Sequence, residues 1–275
     1  MTINCKGQLI DLSSPKVMGV LNVTPDSFYD GGSYKNEADI LSQVETMLTD
    51  GATFIDIGGY SSRPGADHVS SAEEQQRVIP IIELILKHLP ETIISIDTFR
   101  SEVAQKSIEA GGALINDISA GFLDDNMIAT VGDLGVPYIM MHMRGNPQTM
   151  QQQTNYEDLL KEILSYFGER IAKAHKAKIK DIIIDPGFGF AKTLEQNYEL
   201  LNKLQLLNIA GKPFLAGVSR KSMIYKTLGV TAKEALNGTT ALNMIALERG
   251  ASILRVHDVK EAAECVTLFQ KLKDN

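Results

Sequence analysis

Eight short apolar runs in this 275-residue chain each end on a side chain able to hydrogen-bond a ligand. The closing residues are Asn22 in VMGVLN, Asp56 in FIDIGG, Asp97 in IISID, Asn116 and Asp117 in ALIND, and His142 in YIMMH. They continue with Asp185 in IIIDPGFGF, Ser219 and Lys221 in FLAGVSRK, and Arg255 and His257 in ILRVHD. Amides, carboxylates and cations repeated in one register suit a single pocket that clamps a polar ligand. Asp185 is the most telling of them. Pro186, Gly187 and Gly189 force a tight turn beside it, and its carboxylate can accept two parallel N–H bonds. A planar heterocycle with adjacent ring N–H and exocyclic amine fits that geometry, with Phe190 stacked on its face. Taken singly, Asp185 reads as a turn aspartate, Asp97 as a helix N-cap and Lys221 as a solvated lysine. Together with Asn116 their shared strand-end register favours one ligand site.

A second chemistry sits across the same mouth, where Asn22, Arg63, Arg255 and His257 can meet if the first, second and eighth runs are neighbours. Arginine suits bidentate phosphate contacts, and an asparagine oxygen can join phosphate oxygens and water around Mg²⁺. No His, Cys and carboxylate spacing suggests zinc, so Mg²⁺ is the expected metal, with Asn22 as its protein ligand.

The elements that must position these residues follow from the pattern itself. Each run is followed by a helical stretch, and eight such units describe an α/β (β/α)8 barrel whose site gathers at the C-terminal strand ends. One barrel of roughly 250 residues plus a short N-terminal extension accounts for the length, so residues 1–275 are expected to form a single domain. Ser71 with Glu74 and Thr231 with Glu234 have capping-box spacing, Asn36 and Ser101 can serve as simpler N-caps, and Gly51 and Gly111 suit helix stops. Leu159, Leu160, Ile163, Phe167, Ile171 and Ala174 make one apolar stripe between Tyr156 and Lys178. Pro80 should kink the helix after Ser71 or delay its start. The stretches Thr24 to Tyr34 and Gly59 to Val69 exceed the usual 2 to 6 residues of a βα loop and read as lids over the ligand.

Composition narrows the partners. A net charge of −7 without a basic run argues against nucleic acid and anionic membranes. The two cysteines, Cys5 and Cys265, lack metal or redox spacing and read as unpaired thiols. With no signal-peptide pattern and no run near the ~20 apolar residues of a membrane span, the cytoplasm is the expected compartment.

The ordered segments GVLNVTPDSF, DIGGYSSRPG, SIDTFR, INDISAG, MMHMRGNP, DPGFGFAK, GVSRKS and RVHDV resemble the dihydropteroate synthase family over nearly the whole chain. The resemblance implies condensation of 6-hydroxymethyl-7,8-dihydropterin diphosphate with 4-aminobenzoate, releasing diphosphate and giving 7,8-dihydropteroate. Carried over by motif position, Asp97, Asn116, Met141, Asp185 and Lys221 would hold the pterin, and Asn22, Arg63, Arg255 and His257 the diphosphate with Mg²⁺. Ser62, Arg63, Pro64, Phe190, Lys221 and Ser222 would border the aminobenzoate pocket, with Asp97, Lys221, Arg255 and Arg63 as the catalytic set. The resemblance also implies a homodimer. Tyr60 stands where the family usually has Glu, Ser62 for Thr, Arg100 for a frequent Lys, and Ala191 for Gly. The alanine is expected to need only ordinary backbone angles. The competing readings are a methyltetrahydrofolate-binding methyltransferase, which would need no diphosphate site, and a non-catalytic pterin-binding protein, which would be expected to lose Asp185, Lys221 or Arg255.

Overall fold

The computed structural model describes residues 1–23, 29–30, 33–34, 37–60 and 69–273. A hairpin of β1 (Thr2–Cys5) and β2 (Gln8–Asp11) opens the chain, turning on Lys6 and Gly7 at φ 54° and 89°. Positive φ at both central residues suits a two-residue turn between right-twisted strands. After β3 (Lys16–Asn22), a two-residue ladder pairs β4 (Tyr29–Asp30) with β5 (Ser33–Tyr34).

Strand and helix then alternate: α1 (Glu37–Thr49), β6 (Phe54–Gly58), α2 (Ser71–His88), β7 (Ile94–Asp97), α3 (Ser101–Glu109), β8 (Leu114–Asp117) and α4 (Met127–Leu134). They continue through β9 (Tyr138–Met141), α5 (Leu159–Lys176), β10 (Ile182–Asp185), α6 (Leu194–Asn202), β11 (Leu215–Ala216) and α7 (Ser222–Leu228). The chain finishes with α8 (Leu236–Glu248), β12 (Ile253–Val256) and α9 (Val259–Lys273). All eight sequence-predicted runs are strands, every pairing among them is parallel, and their order is β10-β9-β8-β7-β6-β3-β12-β11. A parallel bridge from Ile184 to Phe214 joins the two ends, giving the (β/α)8 barrel.

Strand alternation divides the apolar residues into two cores. Val17, Leu21, Ile55, Ile57, Ile94, Ile96, Ile115 and Leu254 face the helices. Met18, Phe54, Leu114, Ile139, Ile183, Leu215 and Ile253 fill the lower barrel together with Ile3, Cys5, Ile10 and Leu12, so the N-terminal hairpin plugs that end. Asn4 N–H donates to Asp181 at 2.8 Å and Lys6 Nζ to the Gly111 carbonyl at 3.1 Å, fastening the plug.

Several local expectations are corrected. The N-cap of α2 is Ser70, one residue before the expected Ser71, and its hydroxyl accepts from Glu73 N–H at 3.2 Å. Glu74, freed from capping, is fully buried against Thr98 and Arg100. Pro80 neither ends nor delays the helix, which runs 18 residues through it; the buried face of Val78, Ile81, Ile82 and Ile85 outweighs one missing backbone bond. Ser101 is the first helical residue of α3, whose cap position is Arg100, and its own N–H is taken by Asp124 at 2.7 Å. The Thr231–Glu234 capping box is real but opens a single 3₁₀ turn before α8. Ala191 overturns its expectation: φ is +49° and the side chain is wholly buried. The turn keeps the left-handed angle, and the methyl is accepted in a cluster with Met141, Met143 and Met150. Asn36, and the lid expectation for most of 24–34 and 59–69, lie outside the described residues.

Candidate active site

The inward positions of the upper barrel are polar where those below are apolar. Strand register sets Asp56 level with Val20 and Ser95, and Asp97 level with Gly58 and Asn116. Arg255, rising from β12, spans the barrel: Nε donates to Asp56 Oδ2 and Nη2 to Asp97 Oδ2, both at 2.6 Å. Asn116 Nδ2 donates to the same Asp56 oxygen at 3.0 Å. Four residues of four strands are thus joined in one network, two of them fixed by a single buried oxygen.

Burial sets the electrostatics. Asp97 is pushed up to about 7, chiefly by loss of water and further by Asp56, with Arg255 opposing the shift. The Arg255 guanidinium, although burial works against its charge, is held above its ordinary value by Asp56 and Asp97.

The β10 turn forms the facing wall. Asp185 is 7% exposed, and its Oδ1 accepts from Gly187 N–H at 2.8 Å. Burial raises its pKa, while Lys221 and the Gly187 bond act the other way. Gly187 and Gly189 have φ of 71° and 81°. A Cβ on Gly187 would lie 2.3 Å from the His142 carbonyl, so no other residue fits the close approach to β9. Lys221 Nζ donates to the Phe188 carbonyl and stands 4.7 Å from the Phe190 ring centre. Burial lowers it to about 8, with Asp185 and Asp97 favouring its charge. Met141 packs beneath the same turn, its Cγ 3.3 Å from where a Gly187 Cβ would lie.

The structure therefore gathers Asp97, Asn116, Met141, Asp185, Phe190, Lys221 and Arg255 around one mouth. Asn22 stands half-buried at the end of β3, and Ser222 opens α7 directly after Lys221. His257 is exposed, with Nδ1 3.0 Å from the Ser219 hydroxyl. Ser62, Arg63 and Pro64 lie outside the described residues. Arg220 of the SRK segment faces elsewhere: it makes a two-pronged pair with Asp258 at 2.8 and 2.7 Å and binds the Ala232 carbonyl at 2.9 Å.

Two contributors escaped the sequence reading of the site. Asp56 was recognisable as a strand-end carboxylate but had no assigned role. Lys192 is buried, and its Nζ reaches the Gly187 carbonyl at 3.0 Å, the Phe190 carbonyl at 3.1 Å and His142 Nδ1 at 3.1 Å. It ties the turn together from behind. Burial lowers Lys192 to about 7 and holds His142 well below its usual value, so His142 is neutral and free to accept. Only its place two residues after Phe190 hinted at this.

The Tyr60 and Arg100 departures meet in space. The Arg100 guanidinium lies 5.1 Å from the Tyr60 ring centre and 4.9 Å from that of Phe99, and it pairs with Glu74. Arg100 Nη2 donates to the Val69 carbonyl at 2.5 Å, and Arg77 Nη1 to the Gly59 carbonyl at 3.0 Å. Two arginines therefore fasten the two described ends of the second long connection.

Residues 18–257 match the pterin binding enzyme family. The chain is 44% identical to the dihydropteroate synthase of Escherichia coli (strain K12) over 272 residues, 98% of this chain and 96% of that one. It is 46% identical to that of Synechocystis sp. over 251 residues, 90% and 86% of the two chains. A crystal structure of the Yersinia pestis dihydropteroate synthase with a sulfonamide drug complex covers both chains fully, at a TM-score of 0.93 and 41% identity. The Xanthomonas albilineans dihydropteroate synthase solved with 4-aminobenzoic acid gives a TM-score of 0.91 at 38% identity, covering 100% of this chain and 98% of that one. With the barrel mouth, the sequence relatives and the solved structures in agreement, the chain belongs to the dihydropteroate synthase family, the pterin-binding transferases of folate biosynthesis.

Proposed function

We propose that the upper barrel binds 6-hydroxymethyl-7,8-dihydropterin diphosphate and passes its methylene carbon to the amine of 4-aminobenzoate, giving 7,8-dihydropteroate and diphosphate. The observation that carries this reading is the facing arrangement of Asp185 and Asn116 beside Lys221 and Arg255, acceptors for ring N–H groups next to cations for an anionic leaving group. Asp185 and Asn116 read the amine edge of the pterin, Met141 packs against its face, and Lys221 donates to its remaining heteroatoms. Arg255 and His257 take the diphosphate with Asn22 and Arg63. Phe190, Lys221 and Ser222, with Ser62, Arg63 and Pro64, border the aminobenzoate.

Among the described residues no cluster of three or more His, Cys, Asp or Glu could hold a metal ion. Asn22 offers one amide oxygen at the mouth, which fits Mg²⁺, an ion that keeps several waters and takes substrate phosphate oxygens. When bound there, Mg²⁺ supplies charge neutralisation to the departing diphosphate. The protein's own residues do the rest. Arg255 stabilises the leaving anion, Asp97 lies where positive charge develops on the pterin, and Phe190 and Met141 keep water from it. The aryl amine attacks as the neutral base while the C–O bond to diphosphate breaks, and the proton it then sheds leaves with the diphosphate, so no side chain is assigned as general base.

The methyltetrahydrofolate-binding methyltransferase and the non-catalytic pterin-binding protein have no supporting observation. The test is diphosphate release from the pterin substrate, which should require 4-aminobenzoate and yield dihydropteroate stoichiometrically. Release that ignores aminobenzoate would end the proposal. A homodimer in the cytoplasm is part of this reading. Exposed Leu228, Ile245, Leu268 and Leu272 on adjoining α7, α8 and α9 support the dimer. No described helix is long and apolar enough to cross a membrane.

A further inference from the structure

Asp56 is wholly buried, one inward position below the residues that would touch a ligand. One of its oxygens does two jobs: Oδ2 accepts from Arg255 Nε at 2.6 Å and from Asn116 Nδ2 at 3.0 Å. The other oxygen, Oδ1, is buried with no hydrogen-bond partner among the described residues. A carboxylate kept for stability alone would be a poor choice here, since an unmatched buried oxygen is costly and a buried ion pair is weak support for a fold. Its geometry has a different use. Holding Arg255 by Nε, the inner nitrogen, fixes the root of the guanidinium while Nη2 rests on Asp97, an 18% exposed partner that an incoming anion can replace. Holding Asn116 by its NH₂ decides which way the amide lies, because a carboxylate only accepts. Among the described residues the amide oxygen has no hydrogen-bond partner, which leaves it for a ligand N–H.

We propose that Asp56 is a positioning residue for the transfer: its single bonded oxygen orients Arg255 and Asn116 together, presenting the outer guanidinium edge to the diphosphate and the amide oxygen to the pterin. This rests on the function proposed above. Asp56 touches neither substrate. Its influence passes through two side chains 199 and 60 positions away in sequence.

The test compares wild type, Asp56→Asn, Asp56→Glu, Arg255→Lys and the Asp56→Asn/Arg255→Lys double variant, each assayed for kcat, KM and unfolding in urea. Asp56→Asn keeps the size and removes the charge, whereas Asp56→Glu keeps the charge and moves the oxygen by one methylene. Both should lose about 10-fold or more in kcat, the loss expected when a charge-assisted bond is broken, under conditions where the urea transition shows each variant to be fully folded. The double variant should lose less than the product of the two single losses, because part of the influence of Asp56 passes through that arginine while the rest passes through Asn116. The pH profile gives a further readout. Asp97 faces Arg255, Asp56, Glu74 and Asp117, and Asp56 is among the groups that raise it. In Asp56→Asn the acid limb should therefore move to lower pH, which a merely structural role would not produce. Wild-type kcat in either variant, multiplicative losses in the double variant, or a loss of rate that tracks a lower urea midpoint in both would overturn the inference. If Asp56→Asn does not fold, Asp56→Glu decides on the same two readouts. Failure of wild type to release diphosphate with aminobenzoate would instead strike the proposed function.

Discussion

Replacing Asp185 by Asn should weaken pterin binding while leaving the protein as stable as before, and the two effects have separate causes. Asp185 Oδ1 accepts the Gly187 N–H at 2.8 Å, and the turn fixes that bond. An asparagine keeps it only by placing its oxygen there, which puts the NH₂ group where the second carboxylate oxygen stood. Donor then meets donor at the ligand's ring N–H. Losing one charge-assisted hydrogen bond costs about 1.5 to 3 kcal/mol, or roughly 10- to 150-fold in affinity. Stability responds differently, because burial already opposes the charged form of this carboxyl and raises its pKa. Removing the charge relieves that cost and takes a counter-charge from Lys221, so the net change should stay within about 1 kcal/mol. Calorimetric titration with the dihydropterin diphosphate, without aminobenzoate, measures the first quantity and urea unfolding the second. An affinity within twofold of wild type would refute the placement of the pterin edge on Asp185. So would an affinity loss matched by more than about 2 kcal/mol of lost stability, the mark of a damaged turn.

Arg255→Met leaves Asp56 and Asp97 buried without their guanidinium, and should cost about 3 to 5 kcal/mol at pH 8 by urea unfolding. Asp97, already pushed up to about 7, would rise further. The folded variant then holds a proton that the unfolded chain releases near pH 4, so the gap to wild type should narrow at pH 5.5. Lys192→Met strips the Gly187 and Phe190 carbonyls of their donor and should weaken pterin binding in the same titration. Lys192 is lowered to about 7 in the fold, so wild type gains stability as pH rises from about 7 toward the unfolded value; that gain should be smaller in the variant, read from urea midpoints at pH 7 and 9.5. Turnover should stop in protein stripped by EDTA and shown metal-free by elemental analysis, and return with Mg²⁺. Aminobenzoate should bind roughly 5- to 150-fold more tightly with pterin, diphosphate and Mg²⁺ present than to free protein, a coupling of about 1 to 3 kcal/mol; equal affinities in the two titrations would mean a preformed pocket.

The barrel was legible because its strands carry a pattern that few other folds would produce: apolar runs closed by one polar residue. Asp97 and Asp185 close their strands, Asn116 and Arg255 lie one residue before the ends of theirs, and Lys221 stands beyond β11 at the N-cap of α7. What the pattern could not convey is who holds whom. Arg255 reads as a free phosphate ligand in sequence, yet in the fold it is shared by two carboxylates 199 and 158 positions away. Such a partnership exists only once the barrel has closed. Lys192 was hidden for a related reason, since its acceptors are backbone carbonyls, which leave no trace in residue type. Ala191 misled because alanine ordinarily avoids φ > 0, and only the buried methionine cluster around it explains the exception. Ser70 and Ser71 offer the same hydroxyl one residue apart, so local chemistry alone could not choose the cap.

The N-terminal hairpin that plugs the lower barrel divides the molecule's labour along its axis. Ile3, Cys5, Ile10 and Leu12 complete an apolar floor, whereas three carboxylates and two cations crowd the opposite end. The apolar floor closes one pole and the polar groups gather at the other. Evolution can then alter the mouth without endangering the foundation, and an engineer can reinforce the foundation without touching the mouth. Met1 is largely exposed beside Asp11 on the outer edge of the plug. That makes this edge a natural attachment point for a tether or surface anchor, because a load applied there would leave the polar mouth of the barrel facing the bulk solution.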